Sequence, residues 1–133
     1  MSATDQIQDH QARCLASMIS LRMLARGEAG TPLPRWVAVE VANATGAVLA
    51  EAEAAGLIVL AAAGLGGGHS GEETFLRVRL DRLAAAADDA IAAARAADFG
   101  ELRLQLHRFD TLASAIWTVE AAVYESRRVS AAP

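Results

Sequence analysis

His10 and Cys14 stand one helical turn apart, a spacing that lets an imidazole nitrogen and a thiolate bind one metal ion from the same helix face. A tetrahedral site needs two further ligands, and no second clustered pair supplies them. A core cysteine beside a surface histidine is therefore expected, with no metal and no other cofactor. His107 and Asp110 share another helix face and have the residue types of a general-base pair, but neither a nucleophile nor a substrate-positioning motif accompanies them. A surface ion pair or hydrogen bond accounts for both, and no catalytic residue is expected. The run Gly64-Leu65-Gly66-Gly67-Gly68-His69-Ser70-Gly71 has the composition of a phosphate-binding loop. Such loops join a strand to a helix N-terminus. Here a strand is expected next, so the run reads as a hairpin tip. Arg127-Arg128 complements the negative end of a helix macrodipole.

The elements that must position these residues are bounded first by size and charge. A chain of 133 residues can bury one core without disulfides, so a single domain over 1–133 is expected. All 12 cations are arginine, and the net charge of −4 argues against a protein that simply coats phosphates. The lone Cys14 cannot form an internal disulfide. The opening Met1-Ser2-Ala3-Thr4-Asp5-Gln6 lacks the basic and apolar regions of a secretory signal, which together with the lone cysteine points to the cytoplasm. The longest uncharged apolar run, 54–65, is shorter than the roughly 20 residues of a membrane span, so no membrane partner is expected.

Along the chain, Ile7, Cys14, Leu15, Met18, Ile19, Leu21 and Leu24 recur at helical spacings over 6–26, and Gly27, Gly30, Pro32 and Pro34 end that helix. Over 35–55 two readings stand. Trp36, Val37, Val39 and Val41 suit a strand, Asn43-Ala44-Thr45-Gly46 suits a turn, and 47–55 suits a helix capped by Gly56, so the stretch is either helix, turn, helix or strand, turn, helix. Leu57-Ile58-Val59-Leu60 and the alternating Leu76, Val78 and Leu80 predict two strands paired as a hairpin, with Arg77 and Arg79 on its outer side. A third helix runs to Ala97, and Phe99-Gly100 interrupts it. The last helix, 101–128, carries Phe109, Leu112, Ile116, Val119 and Val123 beside a second stripe of Leu106, Ala113, Trp117 and Tyr124. That face is wider than one neighbour can cover. It predicts a homodimer interface formed by Leu106, Phe109, Leu112, Ile116, Trp117, Val119, Val123 and Tyr124.

This order of elements resembles a winged-helix DNA-binding domain over about 11–80, with dimerising C-terminal helices over 81–128 like those of MarR-type bacterial regulators. Its most specific piece is Leu49-Ala50-Glu51-Ala52-Glu53-Ala54-Ala55-Gly56-Leu57-Ile58, which is similar to the end of a recognition helix and its glycine turn into the first wing strand. The resemblance implies a mainly α fold with a β-hairpin wing and a homodimeric regulator of transcription that binds double-stranded DNA. By position it places Asn43 and Thr45 near bases, and Arg35, His69, Ser70, Arg77 and Arg79 near phosphates. Against this, four glutamates and one arginine lie between Glu28 and Leu60. That acidic and apolar stretch supports a second reading, a non-catalytic module that binds a protein partner. A third topology makes 36–41 and 57–60 parallel strands of a small α/β fold with one βαβ unit.

Overall fold

The computed structural model describes the backbone of 3–26, 33–62 and 71–131, and the side chains of 5–26, 33–60, 74–118 and Glu120. The described residues form four α-helices: α1 Ala3–Leu24, α2 Arg35–Ala62, α3 Gly71–Arg95 and α4 Phe99–Ala131. Successive helices pack as neighbours, and α2 meets all three others. His10 of α1 pairs with Glu51 late in α2, and Cys14 and Arg22 of α1 reach Trp117 and Asp110 of α4 in reverse order. The helices thus run up, down, up and down.

No strand occurs among the described residues, so both the winged helix with its hairpin and the βαβ alternative are corrected to an all-helical bundle. The residues expected in strands, 36–41, 57–60 and 74–80, lie inside helices. Periodicity over a longer window explains why. Val37, Val41, Thr45, Val48, Ala52, Ala55 and Val59 are all buried, at steps of three and four that only a continuous helix can bring to one side. Leu76 and Leu80 are followed by Leu83, Ala87, Ala90 and Ala94 in the same rhythm, while Val78 is turned to solvent. Over seven residues the pattern matched a period of two; over nineteen it is a heptad. Arg77 and Arg79, expected side by side on a strand, are about 200° apart around α3. The expected wing tip, including His69 and Ser70, lies mainly outside the described residues.

The α3–α4 break falls at 96–98, ahead of the expected Phe99-Gly100. Asp98 N–H donates to Ala93 O at 3.2 Å across Ala97, which holds φ 55°. That is the geometry in which a left-handed residue ends a helix. Asp98 then caps α4 by accepting the Glu101 N–H at 3.0 Å.

Two glycines inside α2 have opposite surroundings. Nothing lies within 4 Å of where a Gly46 Cβ would stand, whereas a Gly56 Cβ would meet Glu120 Oε1 at 3.0 Å. Gly46→Ala should therefore raise stability by about 1 kcal/mol through helix propensity alone. Gly56→Ala should yield none of that gain, because the Glu120 carboxyl must move. Thermal unfolding of the two variants checks the contrast.

Over Arg35–Leu60, α2 is also long and apolar enough to cross a membrane by length and composition. In the bundle, that composition serves a helix with neighbours on several sides at once. Among the described residues, ion pairs tie α1 to α2 (Arg13–Glu51, with His10 on the same carboxylate), α2 to α3 (Arg77–Glu53), α3 to α4 (Arg108–Asp89) and α1 to α4 (Arg22–Asp110). Exposed pairs contribute about 0–1 kcal/mol each; their service is to hold the helices at one level.

Candidate functional site

The first helix is where this bundle differs from a closed one, because α1 is seated on α2 and only edges α4. Its inward positions Ile7, Cys14, Met18 and Leu21 are buried. Three polar links bridge the seam to α4. Trp117 Nε1 donates to Cys14 Sγ at 2.8 Å, Arg22 grips both oxygens of Asp110 at 3.1 and 2.7 Å, and Arg103 Nε donates to Ala25 O at 3.1 Å. Between the last two links lies a cleft of about 170 Å³. Met18, Leu21, Leu106 and Phe109 make its floor, and Arg22, Arg103, His107 and Asp110 stand at its mouth.

The chemistry-bearing pairs of the sequence separate here. His10 turns to Glu51, which also accepts from Arg13 Nε at 2.9 Å; these donors, His10 first, hold the Glu51 carboxyl below its usual range. Cys14 turns to the interior. Burial pushes its thiol up to about 11, against the opposing effect of the Trp117 N–H, so little thiolate forms near neutral pH. Asp110 spends both oxygens on Arg22, and no hydrogen bond joins it to His107. Among the described residues, no group of three or more His, Cys, Asp or Glu side chains could hold a metal ion.

The residues placed at DNA by the resemblance do not converge. Arg35 opens α2, Asn43 is exposed, and Thr45 is buried with its hydroxyl donating to Val41 O at 2.7 Å. Arg77 lies against Glu53, 18 residues further along α2 than Arg35, or roughly 27 Å by helical rise. The Arg79 guanidinium carbon sits 4.2 Å from the centre of the Phe75 ring. Of the residues expected at a dimer interface, Leu106, Phe109 and Ile116 are buried in the chain's own core, while Leu112 and Trp117 are half-buried against it. The side chains of Val119, Val123 and Tyr124 lie outside the described residues.

No protein family, no curated protein and no solved structure matches this chain.

Two features escaped the sequence reading. One is Glu120, 0 % exposed, with neither carboxylate oxygen hydrogen-bonded to any described residue; burial alone pushes its carboxyl up to about 8. It continues the buried series Phe99, Leu102, Leu106, Phe109, Ala113 and Ile116 at the next step of four. The heptad count would have found it. The other is the outward face of α1. Ala12, Leu15, Ala16, Ile19, Ser20 and Met23 are all exposed and none carries a charge. The outward face of α3, by contrast, carries Arg77, Asp81, Arg82, Asp88, Asp89 and Arg95.

Proposed function

We propose that this chain is a non-catalytic interaction module that pairs with a second copy of itself through the outward face of α1. The observation that carries this reading is the uncharged α1 face, three turns long, in a chain whose third helix shows solvent an ordinary charged surface. Trp36, 57 % exposed, extends the face at one end, where it lines a groove with Met23 and Leu24. The exposed parts of Leu15, Ile19, Met23 and Trp36 amount to roughly 450 Å², within the range of the largest apolar patch on a monomer, which is often a functional surface. That is more than half of the ~800 Å² each partner contributes to a stable interface.

A second copy fits this face better than an unrelated protein. Charges set the orientation and choice of a heterologous partner; the α1 face from Ala12 to Met23 has none, and Glu40 stands only at the Trp36 end. Two-fold pairing needs only self-complementarity. With α1 antiparallel to its mate about Ile19, Leu15 of one copy packs on Met23 of the other and Ile19 meets Ile19.

Light scattering across a concentration series should give twice 13.9 kDa for the native chain. Ile19→Glu should give 13.9 kDa with unchanged helicity. A native chain that stays at 13.9 kDa at high concentration refutes the reading. Ile116→Asp is unsuitable for this purpose, since Ile116 is 1 % exposed in the core and a charge there would unfold the chain.

A further inference from the structure

We propose that the groove between the end of α1 and the start of α2 binds a small quaternary ammonium ion, a free trimethylammonium compound with no anionic group. The proposal does not rest on the self-association reading. The groove opens on the α2 flank of α1, and only Met23 and Trp36 belong to both surfaces.

The register of two helices builds the site. Trp36, Glu40 and Ala44 follow one another at steps of four along α2, opposite Ser20, Met23 and Leu24 in the last turns of α1. Ala44 is the smallest of the six, and the groove measures about 300 Å³. Its walls present surface to a ligand: Trp36 is 57 % exposed and Met23 65 %, and Ser20 and Glu40 are exposed as well.

The sign of the ligand follows from charge. Among the described residues lining the groove, Glu40 alone is charged, and none of the ion pairs engages it. Arg35 precedes Trp36 in the chain but does not line the groove, since neighbours on a helix are about 100° apart. An anion would meet an uncompensated carboxylate. A cation meets both that carboxylate and an exposed indole, the side chain whose ring attracts cations best.

Methylation follows from the rest of the lining. A primary ammonium has three N–H donors that hold water strongly, and beyond Glu40 and Ser20 the groove is apolar or aromatic. Methyl groups turn the surface of the cation apolar, to match Met23, Leu24 and Ala44. The α1 face beside the groove carries no charge that would orient a peptide, so the occupant is a free ion rather than a methylated side chain of another protein.

NMR titration of Ile19→Gln, followed on the ligand's own proton signals, tests the site separately from pairing. This variant removes the centre of the pairing face and leaves every lining residue in place. Choline should bind at millimolar concentration. Ethanolamine, a primary ammonium, and 3,3-dimethylbutan-1-ol, the uncharged carbon analogue of choline, should each bind at least about fivefold more weakly. Trp36→Leu should weaken choline by about tenfold, and Glu40→Gln should weaken choline severalfold while leaving the alcohol unaffected. Both positions are exposed, so the far-ultraviolet spectrum should stay helical in each variant. No choline binding at millimolar concentration to folded protein overturns the proposal. So does equal binding of choline and the alcohol, or choline binding that survives Trp36→Leu. A peptide carrying trimethyl-lysine that binds far more tightly than choline overturns the free ion in favour of a protein partner.

Discussion

Glu120→Gln should make the folded chain markedly more stable at pH 8 and leave it little changed at pH 4. The Glu120 carboxyl sits in the core without a hydrogen-bond partner among the described residues, and burial raises it from its ordinary 4.5 to about 8. Below pH 4.5 the acid is protonated in both the folded and unfolded chain, so it imposes no pH-dependent cost. Between 4.5 and 8 the unfolded chain releases the proton while the folded chain keeps it, and stability falls by about 1.4 kcal/mol per pH unit. Above 8 the penalty is complete, on the order of several kcal/mol. Urea unfolding at pH 4, 6 and 8 should show this slope in the native chain and a nearly flat line in Glu120→Gln. Glu120→Leu, which also removes the unpaired polar atoms, should be the more stable of the two variants throughout. A native stability that rises between pH 5 and 8 would overturn this account of Glu120.

Phe109→Ala should cost about 3–5 kcal/mol, the range for emptying an aromatic site in a packed core. Phe109 is the largest of the fully buried side chains among the described residues, and it closes the cleft floor as well as the interior. For a chain of this size the loss corresponds to a fall in Tm of roughly 10–20 °C. The fall should be the same at low and high protein concentration, because the side chain is enclosed within one chain. A Phe109→Ala protein of native stability that merely dissociates would instead place Phe109 between copies.

The first and last helices were legible in the sequence because their apolar residues recur from Ile7 to Leu24 and from Leu106 to Tyr124, and because Gly27, Pro32 and Pro34 punctuate the chain. The middle was not, for reasons visible in particular residues. The β-branched Val37, Val39 and Val41 favour strands by propensity, but tertiary packing on three sides of α2 overrides a preference worth only tenths of a kcal/mol per residue. Gly46 and Gly56 were read as a turn and a cap, yet one faces open space and the other makes room for Glu120, and neither interrupts the helix. At the seam, the separate membership of His10 and Cys14 in different contacts could not be read from a spacing of four, since Glu51 and Trp117 approach from different helices. Thr45 looked like a base-contacting hydroxyl and is instead satisfied by its own helix.

The two tryptophans divide the molecule's behaviour between them optically. Trp36 stands at the end of the outward α1 face, and Trp117 holds its indole N–H against the Cys14 sulfur across the α1–α4 seam. A thiol in contact with an indole quenches its emission, so native Trp117 should be dim and should brighten when α1 parts from α4. Trp36, half in water, should emit at long wavelength and shift to the blue when a second copy covers it. With Trp36→Phe and Trp117→Phe as single-reporter proteins, seam opening and self-association become separate signals, recorded in one cuvette without any attached dye.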